Sequence, residues 1–194
     1  MTAQEMFFVC DARAHEAATI EALYDRDRVR RGDGALWCDG APVKLSGHEL
    51  RALWNTDTTI RVIAQEVRKT KSVIIGHASL HYRVLPRMGG IATVEDVVTD
   101  PDFEGRGVAR GVMSSALRFA FDAWFCRCVE LVCVPERERA RRLYLSLGFV
   151  QHTNTDRFTL TALDRTRLLA DIGGWATNTG GRLFIDTYTF TPFR

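Results

Sequence analysis

A chain of 194 residues, 46% hydrophobic and 26% charged, is most simply one domain able to bury roughly two thirds of its unfolded surface. A formal net charge of +2 argues against a general affinity for nucleic acid. No apolar run approaches the roughly 20 residues of a membrane span, and "MTAQEMFFVCDARAHE" turns polar before a signal-peptide core forms, so the protein is expected in the cytoplasm with no membrane partner.

"MFFVCDA" reads as a first strand, and "RAHEAATIEALYDRDR" follows with helical spacing at Ala17, Ile20, Leu23 and Tyr24. Glycine and proline punctuate "RRGDGALWCDGAP" as a loop, and "LSGHELRALW" predicts a short second helix with Ser46 as N-cap. Strands follow at about 59 to 68, 72 to 84 and 91 to 99, with connections short enough for antiparallel hairpins. A long helix then presents Val108, Val112, Ala116 and Ala120, flanked by Met113, Leu117, Phe121 and Trp124. "CVELVCV" predicts a strand covered on both faces. Pro135 is expected to open a helix with Ala140, Leu143, Tyr144 and Leu147 on one side and Gly148 as its stop. "FVQHTNTDRFTLTAL" supplies one or two more strands.

This order predicts an α/β fold in the α+β mixed sense: a central mixed, mostly antiparallel sheet with helices on both faces. Residues 1–162 are expected to form the main domain. Residues 163–194 form an extension whose alternation at Phe184, Asp186, Tyr188 and Phe190 predicts one more strand. That extension covers a sheet edge, crosses to a partner in a homodimer, or lines a substrate site.

Five cysteines, an odd number, suit a reducing compartment. Cys126, Cys128 and Cys133 crowd one segment, but their spacing matches no common zinc pattern and no histidine lies close, so they read as small core residues and no metal is expected.

"VEDVVTDPDFEGRGVARGVM" changes character at Pro101, passing from a β-branched strand to a helix start marked by Gly105 and Gly107. Amides at a helix N-terminus lack intrahelical partners and carry the positive end of the dipole, so this turn either binds a phosphate or merely turns the chain tightly. A Walker loop needs a lysine that is missing here, and a dinucleotide fingerprint wants glycine where Arg110 stands. Arg/Gln-x-x-Gly-x-Gly/Ala fits "EGRGVA" except at Glu104.

Three blocks in order, "VEDVVTDPDFEGRGVARGVMSSAL", "VELVCV" and "RERARRLYLSLGF", resemble the GNAT superfamily of acetyl-CoA-dependent N-acetyltransferases. The resemblance spans about residues 5 to 162. It implies that backbone groups of Val97, Val98 and Thr99 pair with pantetheine, and that the loop of Gly105, Arg106, Gly107, Val108, Ala109 and Arg110 cradles the pyrophosphate of acetyl-CoA. Two departures stand out. Glu104 replaces the usual Arg or Gln, with its side chain expected to point away from the ligand. Arg137 stands where many members have asparagine. The run Arg137, Arg139, Arg141 and Arg142 reads first as a solvated helix face, and otherwise as an attractor for the coenzyme.

A primary amine is neutral only about once in 2,500 at pH 7, which costs roughly 4 to 5 kcal/mol and calls for a base. Glu95 and Asp96 stand on the strand entering the loop, and one of them should face the cleft. Glu95 is the candidate proton acceptor, and both are candidate acceptor contacts. His77 and His81, four apart on a strand and so on one face, are held in reserve as bases. Tyr144 occupies the position of the family tyrosine that protonates the departing thiolate, with a core role as the alternative. A backbone N–H at Val97 or Val98 is the expected donor to the acetyl oxygen. The block "ASLHYRVLPRMGGIATVEDVVTDPDFEGRGVA" also resembles, more narrowly, glucosamine-6-phosphate N-acetyltransferases. The expected acceptor is therefore a small-molecule amine such as an amino sugar. A protein or peptide amine, or a non-catalytic acyl-CoA-binding module, are the alternatives.

Overall fold

A computed structural model describes residues 7–31, 58–68, 71–161 and 184–185. Runs rich in β-branched and aromatic residues become strands: β1 (Phe7–Asp11), β2 (Thr59–Arg68), β3 (Lys71–Leu85), β4 (Gly89–Thr99), β5 (Cys128–Val132), β6 (Val150–Gln151), β7 (Arg157–Thr161) and β8 (Phe184–Ile185). The described α-helices are α1 (Ala17–Arg31), α2 (Val108–Asp122) and α3 (Glu138–Ser146). The expected helix around Ser46, and residues 162–183 and 186–194 of the tail, lie outside the described residues.

All the described strands join one sheet in the order β6-β7-β5-β4-β3-β2-β1-β8. β2, β3 and β4 form an antiparallel meander. α2 then carries the chain back so that β5 runs parallel to β4. β7 returns antiparallel to β5, and β8 lies parallel to β1 at the far edge. This is the mixed, mostly antiparallel sheet that the sequence predicts.

Period-2 alternation assigns each strand residue to one helix layer. Val62 and Ala64 join the cluster under α2, while Ile63 between them joins Ile20 and Leu23 of α1. α2 buries Val108, Val112, Met113, Ala116, Leu117, Ala120 and Phe121, as its spacing requires. α3 adds Tyr144 to the same layer, where Leu147, Phe149, Phe158 and Leu160 are also buried. Each large side chain in this layer contributes roughly 1.5–3 kcal/mol through burial. Gly76 sets how closely α2 starts to the sheet, since a Cβ there would lie 2.5 Å from Val108 Cγ1.

Two expectations need correction. β5 is buried on one face only: Val129 and Leu131 are covered, but Val132 is 57% exposed and Cys128 and Glu130 are half-buried. α3 begins at Glu138 rather than Pro135, which sits in the preceding turn. Gly148 does end α3, with φ +93 where a side chain would be strained.

Candidate functional site

The β4 to β5 ladder is short. Its registered pairs run from Ile91/Cys128 to Thr93/Glu130, yet β4 continues to Thr99. From Val94 onward, that edge of β4 has no strand partner among the described residues. β4 then passes through Asp100 and a 3-10 turn, Pro101–Phe103, into the glycine loop. Asp100 caps the turn by accepting from the Asp102 N–H, and its buried carboxylate pairs with Arg26 of α1.

Gly105 and Gly107 have φ +75 and +82, a region costly for side chains with a Cβ. A Cβ at Gly105 would meet nothing within 4 Å, so conformation, not crowding, calls for glycine there. The first bond of α2 runs from the Gly111 N–H to the Gly107 carbonyl. The amides of Val108, Ala109 and Arg110 thus precede the helical ladder and form the positive end of a 15-residue helix. This donor set, beside an open strand edge, fits a ligand with an anionic diphosphate and an extended amide-bearing arm.

Side chains fasten the loop to α3. Arg139 Nη1 donates to Glu104 Oε2 at 3.0 Å, and Arg110 donates to the Ser146 hydroxyl. The Arg106 guanidinium sits 5.0 Å from the centre of the Phe103 ring. Glu104 therefore turns to α3, where the guanidinium balances its charge. Arg137 is the half-buried N-cap residue of α3. Of the basic run, Arg139 and Arg142 are exposed. Arg142 pairs with Glu138, and Arg141 donates to Gln151. Tyr144 is buried edge-on against Phe149 and Phe158, with ring centres 6.0 and 6.1 Å away.

The acids of β4 do not alternate as a regular strand would require. The β3/β4 register shifts between His77 and Ser79, and Asp96 in the bulge adopts φ +53. As a result both carboxylates lie toward the same side. Asp96 Oδ2 accepts from the Ser79 hydroxyl at 3.1 Å, and Glu95 Oε2 lies 3.6 Å from His81 Nε2. His77 and His81 do share a face, with different surroundings. His81 is half-buried, and its Nδ1 lies 3.1 Å from Thr59 Oγ1. His77 is fully covered, and burial lowers its imidazole to about 3. It therefore stays neutral and does not reach the solvent side of the cleft.

Sequence reasoning missed the site roles of Tyr24, Ser79 and Ser146, and it named Arg139 without its pairing to Glu104. Tyr24 sits on the α1 face of the sheet with its hydroxyl 2.6 Å from His77 Nδ1. Burial, then the charge of Asp96, raises its phenol, so the hydroxyl keeps its proton. Beside it, burial lowers Arg61, and Tyr24 and Asp96 partly offset that.

Known structures share this architecture. An acetyltransferase from Trypanosoma brucei is 19% identical, with TM-score 0.59, over 77% of this chain and 96% of its own. A mutant spermidine N-acetyltransferase from Vibrio cholerae is also 19% identical, with TM-score 0.61, over 84% and 96%. A nucleotide-linked sugar GNAT reaches TM-score 0.66 at 9% identity, over 90% and 96%. No curated protein sequence matches. Residues 21–149, from α1 to the end of the α3 turn, match the acetyltransferase (GNAT) family, and the chain belongs to that family.

Proposed function

We propose that this protein moves the acetyl group of acetyl-CoA onto a primary amine of a small molecule, by direct attack with both substrates bound. The observation that carries this reading is β4 itself. One strand combines an open edge beyond Thr93, two carboxylates, and a direct lead into the amides of α2. Acetyl-CoA supplies a thioester activated toward nucleophiles.

The residues then divide the work. Backbone groups of Val97, Val98 and Thr99 hold the pantetheine arm as an added strand. Amides from Gly105 to Arg110 receive the diphosphate, with the Arg137 guanidinium near the same charge. Glu95, more than half exposed at 57% of its side chain, takes the amine proton directly or through one water. Asp96 and Glu95 together attract the cationic acceptor. Tyr144 donates its hydroxyl proton to the departing thiolate, and a β4 amide at Val97 or Val98 stabilises the acetyl oxygen.

Two carboxylates on one side favour an acceptor with positive charge to spare. Structural neighbours named for spermidine and for a nucleotide-linked sugar make polyamines and amino sugars the first acceptors to try. Thiol release from acetyl-CoA should be assayed over spermidine, glucosamine 6-phosphate, aminoglycosides and short peptides. Release with a small amine is expected. Release with peptides alone would move the reading to protein substrates, and coenzyme binding without any release would make the chain a binding module. Tyr144→Phe should lower kcat at least about tenfold with little change in KM for acetyl-CoA; equal loss of both assigns Tyr144 to binding.

A further inference from the structure

Asp96 adopts φ +53, a left-handed conformation that aspartate tolerates better than most L-residues and that its surroundings here hold in place. Three side chains from two other elements do so. Ser79 of β3 donates to its carboxylate. Its backbone carbonyl lies 3.2 Å from His77 Nδ1 and 3.5 Å from the Tyr24 hydroxyl. Tyr24 reaches it from α1, and His77 from β3.

The donor inventory selects one arrangement of these groups. Among the described residues, His77 Nε2 is buried without a hydrogen-bond partner. A proton on Nε2 would leave a buried donor unmet, and would also set the bare Nδ1 lone pair against the Asp96 carbonyl. A proton on Nδ1 removes both conflicts. Nδ1–H then donates to the Asp96 carbonyl and the Tyr24 oxygen together, and the Tyr24 hydroxyl is left to donate to the same carbonyl. Burial keeps the ring neutral, so this pattern persists at ordinary pH.

Holding that carbonyl has a consequence one bond away. There are no cis peptides among the described residues, and in a planar trans peptide the N–H points opposite to the C=O. The Asp96 carbonyl faces His77 and Tyr24, so the Val97 N–H faces away from them. We propose that Tyr24 and His77 are positioning residues: by gripping the Asp96 carbonyl they lock the bulge and aim the Val97 amide at the acetyl oxygen. This rests on the acetyl transfer proposed above, and it adds a link from α1 to the reaction centre that touches neither substrate.

The test uses the full chain, acetyl-CoA and the best amine of the panel. Tyr24→Phe should lower kcat about tenfold while KM for acetyl-CoA changes less than about twofold, as expected for a misaimed group rather than a lost contact. His77→Leu should behave alike, and His77→Asn, whose amide nitrogen can stand near the Nδ1 position, should recover most of the loss. In an Asp96→Gly background, where positive φ costs little, the loss from Tyr24→Phe should shrink below about threefold. An equal loss in both backgrounds overturns the proposal, as does a lowered melting temperature with kcat unchanged. If no amine supports turnover, the acetyl-transfer reading fails, and backbone NMR decides the positioning claim alone. Tyr24→Phe must then shift the Val97 amide and Asp96 carbonyl resonances beyond those of Val98 and Thr99; an unmoved Val97 sinks it.

Discussion

The two faces of the sheet come from the same strands and are put to different use. Toward α2, side chains such as Leu80, Ala92, Val94, Val129 and Phe158 close a dry layer with Met113 and Leu117. Toward α1, the apolar patch is small, with Ile20, Leu23, Ile63, Ile74 and Val98, and next to it stand Tyr24, His77, Ser79, His81, Glu95 and Asp96. The difference teaches where stability and chemistry reside. The α2 face holds the strands at fixed spacing, and that rigidity lets the α1 face carry strained and charged groups around the open edge of β4.

The largest expected effect tests the dry face. Phe158 is fully buried against Tyr144, so Phe158→Ala should cost about 3–5 kcal/mol, read as a shift in the urea midpoint. On the other face the currency changes. Glu95→Gln should leave stability within about 0.5 kcal/mol, because the side chain is largely in water. It should lower kcat about a hundredfold, or about 2.7 kcal/mol of barrier. A stable Phe158→Ala, or an unfolded Glu95→Gln, would break the division between the faces.

His77 stands on the α1 face, yet it is a titratable group kept as dry as the core. Its folded value of about 3 lies below the ordinary 6.5, so the unfolded chain takes up the proton first. The stability it provides is full above about pH 6.5 and is lost as pH falls toward 3, by up to about 1.4 kcal/mol per pH unit. Between about pH 6.5 and 5 the loss should reach about 1.7 kcal/mol in urea titrations, and His77→Asn should flatten that slope. Equal slopes in both proteins would assign the titration to another group.

The dry face was legible in the sequence because periodicity records burial directly. Val108, Val112, Ala116 and Ala120 announce their helix face, and Gly105 and Gly107 announce the turn. The wet face was half legible. Glu95 and Asp96 were visible as candidates, and two adjacent acids in "VEDVV" break the period-2 pattern, but that break alone does not say that a bulge turns both acids to one side. Tyr24 read as core because it shares the apolar stripe of α1. Its partner His77 lies 53 residues away, and only the folded sheet brings the two together. The overreading of β5 has a related cause: Val132 is apolar by type, yet at the splayed end of the strand little covers it.

The smallest effect concerns the residue that departs most from the family pattern. Glu104 sets a negative charge beside amides that should receive a diphosphate, and Arg139, 82% exposed, holds it 3.0 Å away. So exposed a pair adds at most about 1 kcal/mol to stability, and its use is electrostatic: it balances the loop's own acid. Arg139→Ala should therefore weaken acetyl-CoA binding about two- to fivefold by calorimetry, and the change should fade as salt rises from about 50 to 300 mM. Glu104→Gln should bind at least as tightly as the parent, and in the double variant it should cancel the loss from Arg139→Ala. If Glu104→Gln instead weakens binding, the carboxylate itself contacts the coenzyme, and its turn toward α3 gives way when the ligand enters.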